Sequence, residues 1–358
     1  MLKVYSPILK WKAGEQKALE LLSDDVQEKL IPIIEIPPID WDFDQDSPKK
    51  TIDEHLFGLG TSLHISWRQS TPLLIDIPYL EPLDRLASGQ HPLSFTLDEI
   101  RKNGLSAIPV TSSDKDIEYH QEAAAGHVTD GLGVAIRIKE SDFDDMQYNI
   151  DSILSVLKID VSKIDLIVDY GYVEPETKVR TTLFLTGLLN SIPYLDEWRS
   201  LTLNGTAMPK DLSDVGRDTI DEIERSEWII WKKLLQNNQL KRMPNFGDYA
   251  IANPAPFEAD PRLIRMSANI RYTGDDKYII FKGRDLRKYG HGQYFTLASQ
   301  VINHDEYRGT AFSAGDYYIE EVGLRRTNKS GSPTTWRRAA TNHHLTLVVT
   351  ELSNVSLI

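Results

Sequence analysis

The chain has 358 residues, of which 41% are hydrophobic and 26% charged, a composition that excludes wholesale disorder and suits a globular protein with a large core. Its 53 acidic and 40 basic side chains give a net charge of -13, so the average field repels phosphate backbones and anionic membranes, while a local basic patch would still bind nucleic acid. With no cysteine there is no disulfide framework, thiolate nucleophile or Cys-ligated zinc, as suits a reducing compartment.

Met1 to Lys12 carries Lys3, Lys10 and Lys12 and leaves no room for the apolar region of a signal peptide. No apolar run approaches the ~20 residues needed to span a bilayer, so a cytoplasmic location with no membrane partner is expected. Short apolar runs then recur, each closed by polar residues and followed by an amphipathic stretch, which is the pattern of βα units with buried parallel strands. Lys3 to Leu9 reads as a strand, Ala13 to Leu30 as a helix, and Ile31 to Ile36 as a strand stopped by Pro37 and Pro38. The loop Asp40, Asp42, Asp44, Asp46 lacks the sixth-position glycine and closing glutamate of an EF-hand and reads as a solvated acidic loop.

A helix from Ile52 to Trp67 leads into a strand from Leu73 to Ile77, stopped by Pro78, and a helix from Leu93 to Asn103 ends at Asn103-Gly104. Further strands are expected at Ser106 to Val110, Leu132 to Ile138, Ile164 to Val168 and Ser200 to Leu203, with helices near Asp116 to Ala125, Asp142 to Leu157 and Thr177 to Ile192. Trp228 to Asn237 has helical spacing, and Asp248 to Ile251 would supply an eighth strand. This alternation predicts an α/β fold, a (β/α)8 TIM-like barrel over residues 1–252, with an open doubly wound sheet as the alternative. From Asn253-Pro254-Ala255-Pro256 the texture changes, and a β-rich C-terminal extension, 253–358, is expected to pack on the barrel. Its strands would be Ile270 to Tyr272 and Lys277 to Phe281 around Gly274-Asp275-Asp276, then Tyr317 to Val322 and Leu345 to Leu352.

In parallel α/β folds the site lies at the C-terminal strand ends. Those ends carry Lys10 and Lys12, Glu35, Asp76, Arg137, Asp169 and Asn204. Burying Glu35 or Asp76 unpaired among isoleucines would cost at least several kcal/mol, roughly, so each is paired, protonated, metal-bound or at a wet mouth. Glu35, Asp76 and Asp169 are the candidate catalytic groups and would suit a divalent metal. Lys10, Lys12 and Arg137 would neutralise them or hold a phosphate or carboxylate, and Asn204 joins the candidate ligand-binding set. The competing reading is a packed ion-pair layer with no reaction. In the C-terminal part, Trp336-Arg337-Arg338 and Asn342-His343-His344 place cations beside aromatics. Arg337 and His343 would bind a phosphate or a nucleic-acid backbone, or the surface simply docks the extension. On a strand, His343 and His344 would point to opposite faces and share no metal. HExxH, Gly-x-Gly-x-x-Gly and Walker sequences do not occur.

Pro7-Ile8-Leu9-Lys10-Trp11-Lys12 with Gly14-Glu15, Pro32-Ile33-Ile34-Glu35, Gly292-Gln293-Tyr294, Phe312-Ser313-Ala314-Gly315-Asp316, Trp336-Arg337 and Asn342-His343-His344 resemble the phage-type beta protein family over nearly the whole chain. The resemblance implies a setting in phages and bacterial genomes, in mobile or antiviral defence contexts, and carries no catalytic residues across. Two functions are expected from different classes. One is an enzyme or binder whose charged pocket takes a phosphate-containing or nucleotide-like ligand, with or without a divalent metal. The other is a non-catalytic module recognising a phage or host protein or a nucleic acid.

Overall fold

The computed structural model describes residues 5–256 and 265–355. Eight parallel strands form one sheet: β1 (Ile8–Lys10), β2 (Ile33–Glu35), β3 (Leu73–Asp76), β4 (Ala107–Thr111), β5 (Val134–Lys139), β6 (Ile164–Tyr172), β7 (Ser200–Thr206) and, after an inserted strand β8 (Thr219–Glu224), β9 (Asn245–Asp248). Parallel bridging of Tyr5 to Phe246, with the Ser6 amide donating to the Phe246 carbonyl at 3.0 Å, brings the first and last strands together as a barrel. Lys3 and Val4 of the expected first strand lie outside the described residues. The eighth strand runs from Asn245 to Asp248 rather than from Asp248 to Ile251.

Side-chain alternation on these strands separates two cores. Ile8, Ile33, Leu74, Ile108, Ala135 and Ile167 fill the lumen, while Leu9, Ile34, Ile75, Ile136, Leu166 and Leu203 face the surrounding helices. Pro37 and Pro78 follow β2 and β3 closely and cannot donate to a ladder, which fixes where these strands stop. Two expected helices are each broken in two: Ala13–Glu20 with Asp24–Gln27, and Ile52–Leu56 with Leu59–Ser66, the second pair parted at Gly58 with φ 75°.

The C-terminal part is more helical than expected. Strands β10 (Ser267–Thr273) and β11 (Lys277–Asp285) form the expected hairpin, and β8 from within the barrel region pairs with β11 to make a three-stranded antiparallel sheet. Tyr317 to Val322 and Leu345 to Leu352, expected as strands, lie in the helices Ala314–Gly323 and Pro333–Val355. In the longer helix every residue from Ala339 to Val349 is buried, so no polar face marks the helical period, and such a run reads like a buried strand. This helix packs between the helix Ala13–Glu20 and β10, and its Leu345, Val348, Val349 and Leu352 join the outer core of the barrel. Among the described residues no helix is long and apolar enough to cross a membrane.

Candidate functional site

Two positions beyond the lumen residues Ile8, Ile33, Leu74, Ala135 and Ile167, on the same face of each strand, stand Lys10, Glu35, Asp76, Arg137 and Asp169. Strand alternation therefore places five of the expected site residues on one level, and four of them, Glu35, Asp76, Arg137 and Asp169, meet. The Arg137 guanidinium, 3% exposed, donates to Glu35 Oε2 at 3.1 Å, Asp76 Oδ2 at 2.6 Å and Asp169 Oδ2 at 2.6 Å. It also donates to the Tyr249 hydroxyl at 2.6 Å, and that hydroxyl donates in turn to Asp169 at 2.5 Å. The other Asp169 oxygen accepts the Gly171 amide at 3.0 Å, and Gly171, at φ 68°, supplies the left-handed turn that aims this N–H.

One cation thus serves three carboxylates, and burial sets the local proton affinities, with these charges adding to it or opposing it. Burial pushes the Glu35 carboxyl above its ordinary value, with Arg137 pulling it back and Asp76 pushing it further up. The Tyr249 phenol is raised well above its ordinary value, chiefly by burial. Arg137 is held firmly charged by the groups around it, against the cost of its own burial. The carboxylates lend their oxygens to a guanidinium, and among the described residues no three His, Asp or Glu side chains are disposed to hold a metal ion.

Above this layer opens a cavity of about 390 Å³ lined by Glu35, Tyr79, Arg137, Asp169, Tyr170 and Tyr249, with Asp114, Lys139 and Glu140 at the rim. The Tyr79 hydroxyl donates to Glu35 Oε1 at 3.4 Å, so these two residues lining the cavity are tied to each other. Lys139 pairs with Asp114 at 2.9 Å. Both described cations lining the cavity are therefore engaged by carboxylates.

The remaining expected residues are not in this network. Lys10, on the same level, turns to the backbone carbonyls of Pro254 and Ala255 at 2.9 and 3.0 Å. Lys12 is exposed at the start of the helix Ala13–Glu20. Asn204 is fully buried, donating to the Ser6 carbonyl at 3.0 Å and filling the space left by Gly247, where a Cβ would collide with it. Arg337 donates to the Ile251 carbonyl at 3.1 Å. His343 is buried against Asp316 at 2.8 Å and the Thr273 carbonyl at 2.8 Å, far in sequence from the strand ends and on a helix rather than a strand.

The Asn-His-His run is a docking device. The Asn342 amide donates to the Ala18 carbonyl at 2.9 Å, and His344 meets Asp248 at 2.9 Å and Thr273 at 3.0 Å. Asp248 also accepts the Tyr5 hydroxyl at 2.5 Å, so one carboxylate ties the approach to the first strand, the last strand and the C-terminal helix together. Tyr249 and Arg271, which also meets the Ile251 carbonyl, went unread in the sequence. Tyr249 follows an aspartate just past a short strand, a place a strand-end search reaches once the register of β9 is right.

The strand order and the acid-rich mouth define this protein as a parallel eight-stranded α/β barrel with a charged layer at the strand C-termini. Residues 5–350 match the Beta protein family model, and the chain belongs to that family. No curated protein matches it. Similar solved structures include a mutant tryptophan synthase α-subunit from the hyperthermophile Pyrococcus furiosus, 15% identical over 69% of this chain and 88% of that one, with a TM-score of 0.39. Triosephosphate isomerase of Bartonella henselae is 10% identical over 69% and 92%, with a TM-score of 0.35. A 2,3-dimethylmalate lyase of the PEP mutase/isocitrate lyase superfamily is 9% identical over 99% and 94%, with a TM-score of 0.37.

Proposed function

We propose that the barrel mouth binds a small neutral or cationic molecule bearing hydroxyl or amine groups, and that Glu35 exchanges a proton with it. The observation that carries this reading is the excess of acid in a partly enclosed cavity: Arg137 is shared by three carboxylates, and Glu35, which lines the cavity, has a raised proton affinity and gives one oxygen to Arg137 and the other to the Tyr79 hydroxyl. The volume suits a ligand near the lower end of the usual range of about 300–1,000 Å³. The phosphate or nucleotide-like group expected from the sequence finds no uncommitted cation among the described residues inside this cavity, because Arg137 and Lys139 are both paired. A divalent metal would have to displace Arg137 from the same oxygens.

A phage or host macromolecule, the alternative partner, would have to meet the outer surface, since the cavity admits only a small molecule. The cytoplasmic, phage-defence setting rests on the family resemblance and the cysteine-free sequence. Thermal-shift titration with a panel of monosaccharides and aliphatic diamines tests the cavity reading. The expected result is a saturable rise in Tm for at least one probe, because a ligand that binds only the folded state stabilises it by mass action, and loss of that rise in Glu35→Gln. A full response retained by Glu35→Gln, or no response to any probe, would leave the Arg137 cluster as a packed ion-pair layer and overturn the proposal.

A further inference from the structure

Beside the barrel mouth lies a second charged cluster with the opposite imbalance. Arg271 on β10 and Arg337 on the helix Pro333–Val355 reach from two separate elements to one acceptor, the Ile251 carbonyl, at 2.7 and 3.1 Å. Each guanidinium has five N–H donors, and among the described residues neither meets a carboxylate within ion-pair distance. The Arg337 stem lies on Gly14, where a Cβ would come within 3.0 Å of its Cγ, so the absence of a side chain at Gly14 lets the guanidinium approach the start of the first helix. Lys10 and Lys12 stand at the same corner, and the Lys10 ammonium is spent only on the carbonyls of Pro254 and Ala255 among the described residues.

Two acids face this group: Glu35, from the barrel layer, toward Lys10, and Glu15 at the start of the first helix. Glu15 is 6% exposed, and its Oε2 has no hydrogen-bond partner among the described residues. Burial raises its carboxyl to about 7, against the pull of Arg337, Lys10 and Lys12, so near neutrality it is only partly ionised. The mutual repulsion is visible on the basic side too. Arg271 falls to about 9, through burial first and Arg337 second, and Lys10 is lowered by burial and further by Lys12 and Arg337. Arg271 set against Arg337, and Lys10 against Arg337 and Lys12 beside a poorly ionised Glu15, store unfavourable Coulomb energy that a multiply charged oxyanion would relieve. Guanidinium pairs match phosphate oxygens in geometry as well as charge.

We propose that Arg271, Arg337, Lys10 and Lys12 form a subsite for the phosphate group of a small molecule, at the junction of β10, the C-terminal helix and the β1 end of the barrel. Pro254 and Ala255, whose carbonyls hold Lys10, also line the barrel cavity, so a neutral or cationic, hydroxyl- or amine-bearing remainder of such a ligand enters the mouth beside Glu35. That last connection rests on the proposed function of the cavity; the phosphate subsite does not.

Isothermal titration of the full chain with pyrophosphate, and with sodium acetate at matched ionic strength, tests the subsite. Saturable binding of pyrophosphate but not acetate is expected, weakened about tenfold or more in Arg271→Met, as loss of a charge-assisted hydrogen bond requires. Lys12→Ala, at an exposed position whose side chain makes no capping hydrogen bond, should also weaken it and decides the question if Arg271→Met fails to fold. Glu35→Gln should still bind pyrophosphate saturably even where it has lost its response to sugars or diamines, which separates failure of the cavity reading from failure of this one. Absence of saturable pyrophosphate binding, or wild-type affinity in both Arg271→Met and Lys12→Ala, would overturn the subsite.

Discussion

The two charged clusters obey the same electrostatics with opposite counts. Around Arg137 three carboxylates crowd one guanidinium in a nearly dry layer, and every guanidinium nitrogen donates. Around Ile251 two guanidiniums converge, with Lys10 and Lys12 beyond Arg337 toward Glu15, and backbone carbonyls instead of carboxylates hold three of the four cations. The first cluster is self-satisfied on its cationic side and open on its acidic side; the second is the reverse. A buried charge is expensive to strand but inexpensive to remove from a set of like charges, so loss of an arginine should be felt very differently in the two clusters.

The largest effect expected is from Arg137→Met. It leaves Glu35, Asp76 and Asp169 buried without their shared partner and should cost about 3–5 kcal/mol in urea unfolding. A loss under about 1 kcal/mol would show that the carboxylates reach water and that Arg137 does not hold the layer.

Glu15→Gln should give a smaller, pH-dependent effect. The folded carboxyl titrates at about 7 against an ordinary 4.5, so the folded state binds its proton more tightly. Its contribution to stability is complete below about pH 4.5 and is lost as pH rises through 7. The groups facing it are Arg337, Lys10 and Lys12, which oppose the shift, and Glu35, which adds to it. Glutamine cannot ionise, so relative to wild type the variant should gain up to about 3 kcal/mol between pH 4.5 and 8. Parallel Tm curves for the two proteins across that range would contradict the burial of this acid.

Arg271→Met should have the smallest effect, within about 1 kcal/mol in low salt, because it exchanges a hydrogen bond to Ile251 for relief from Arg337. The difference from wild type should turn more destabilising as salt is added, since screening removes the repulsion but not the hydrogen bond. A destabilisation as large as that of Arg137→Met, independent of salt, would mean that the second cluster is a structural clamp.

The barrel was legible because each strand is short, apolar and stopped by proline or a charge, and because two-residue alternation places Glu35, Asp76, Arg137 and Asp169 on one level once the strands are parallel. Asn204 shares that alternation but is taken up by Ser6 and Gly247, a packing relation that no strand-end rule contains. His343 and His344 were misplaced because a helix buried on all sides shows no period. Arg271 was passed over because it lies on β10 of the hairpin, where its neighbours Ile270 and Tyr272 are buried and it reads as the outward polar residue of an alternating strand. Its meaning comes from Arg337, which is brought beside it only by the fold.

The Asp248 carboxylate has a consequence for the order of events during synthesis. Its partners are Tyr5, 243 positions earlier, and His344, 96 positions later. On the ribosome, the last barrel strand therefore emerges with a buried acid whose histidine has yet to be made. Strand β8 waits likewise for β11, its partner in the small sheet. A chain stopped after Ala252 would hold Asp248 without its histidine and β8 without its partner strand, a species open to proteolysis and to edge-to-edge association.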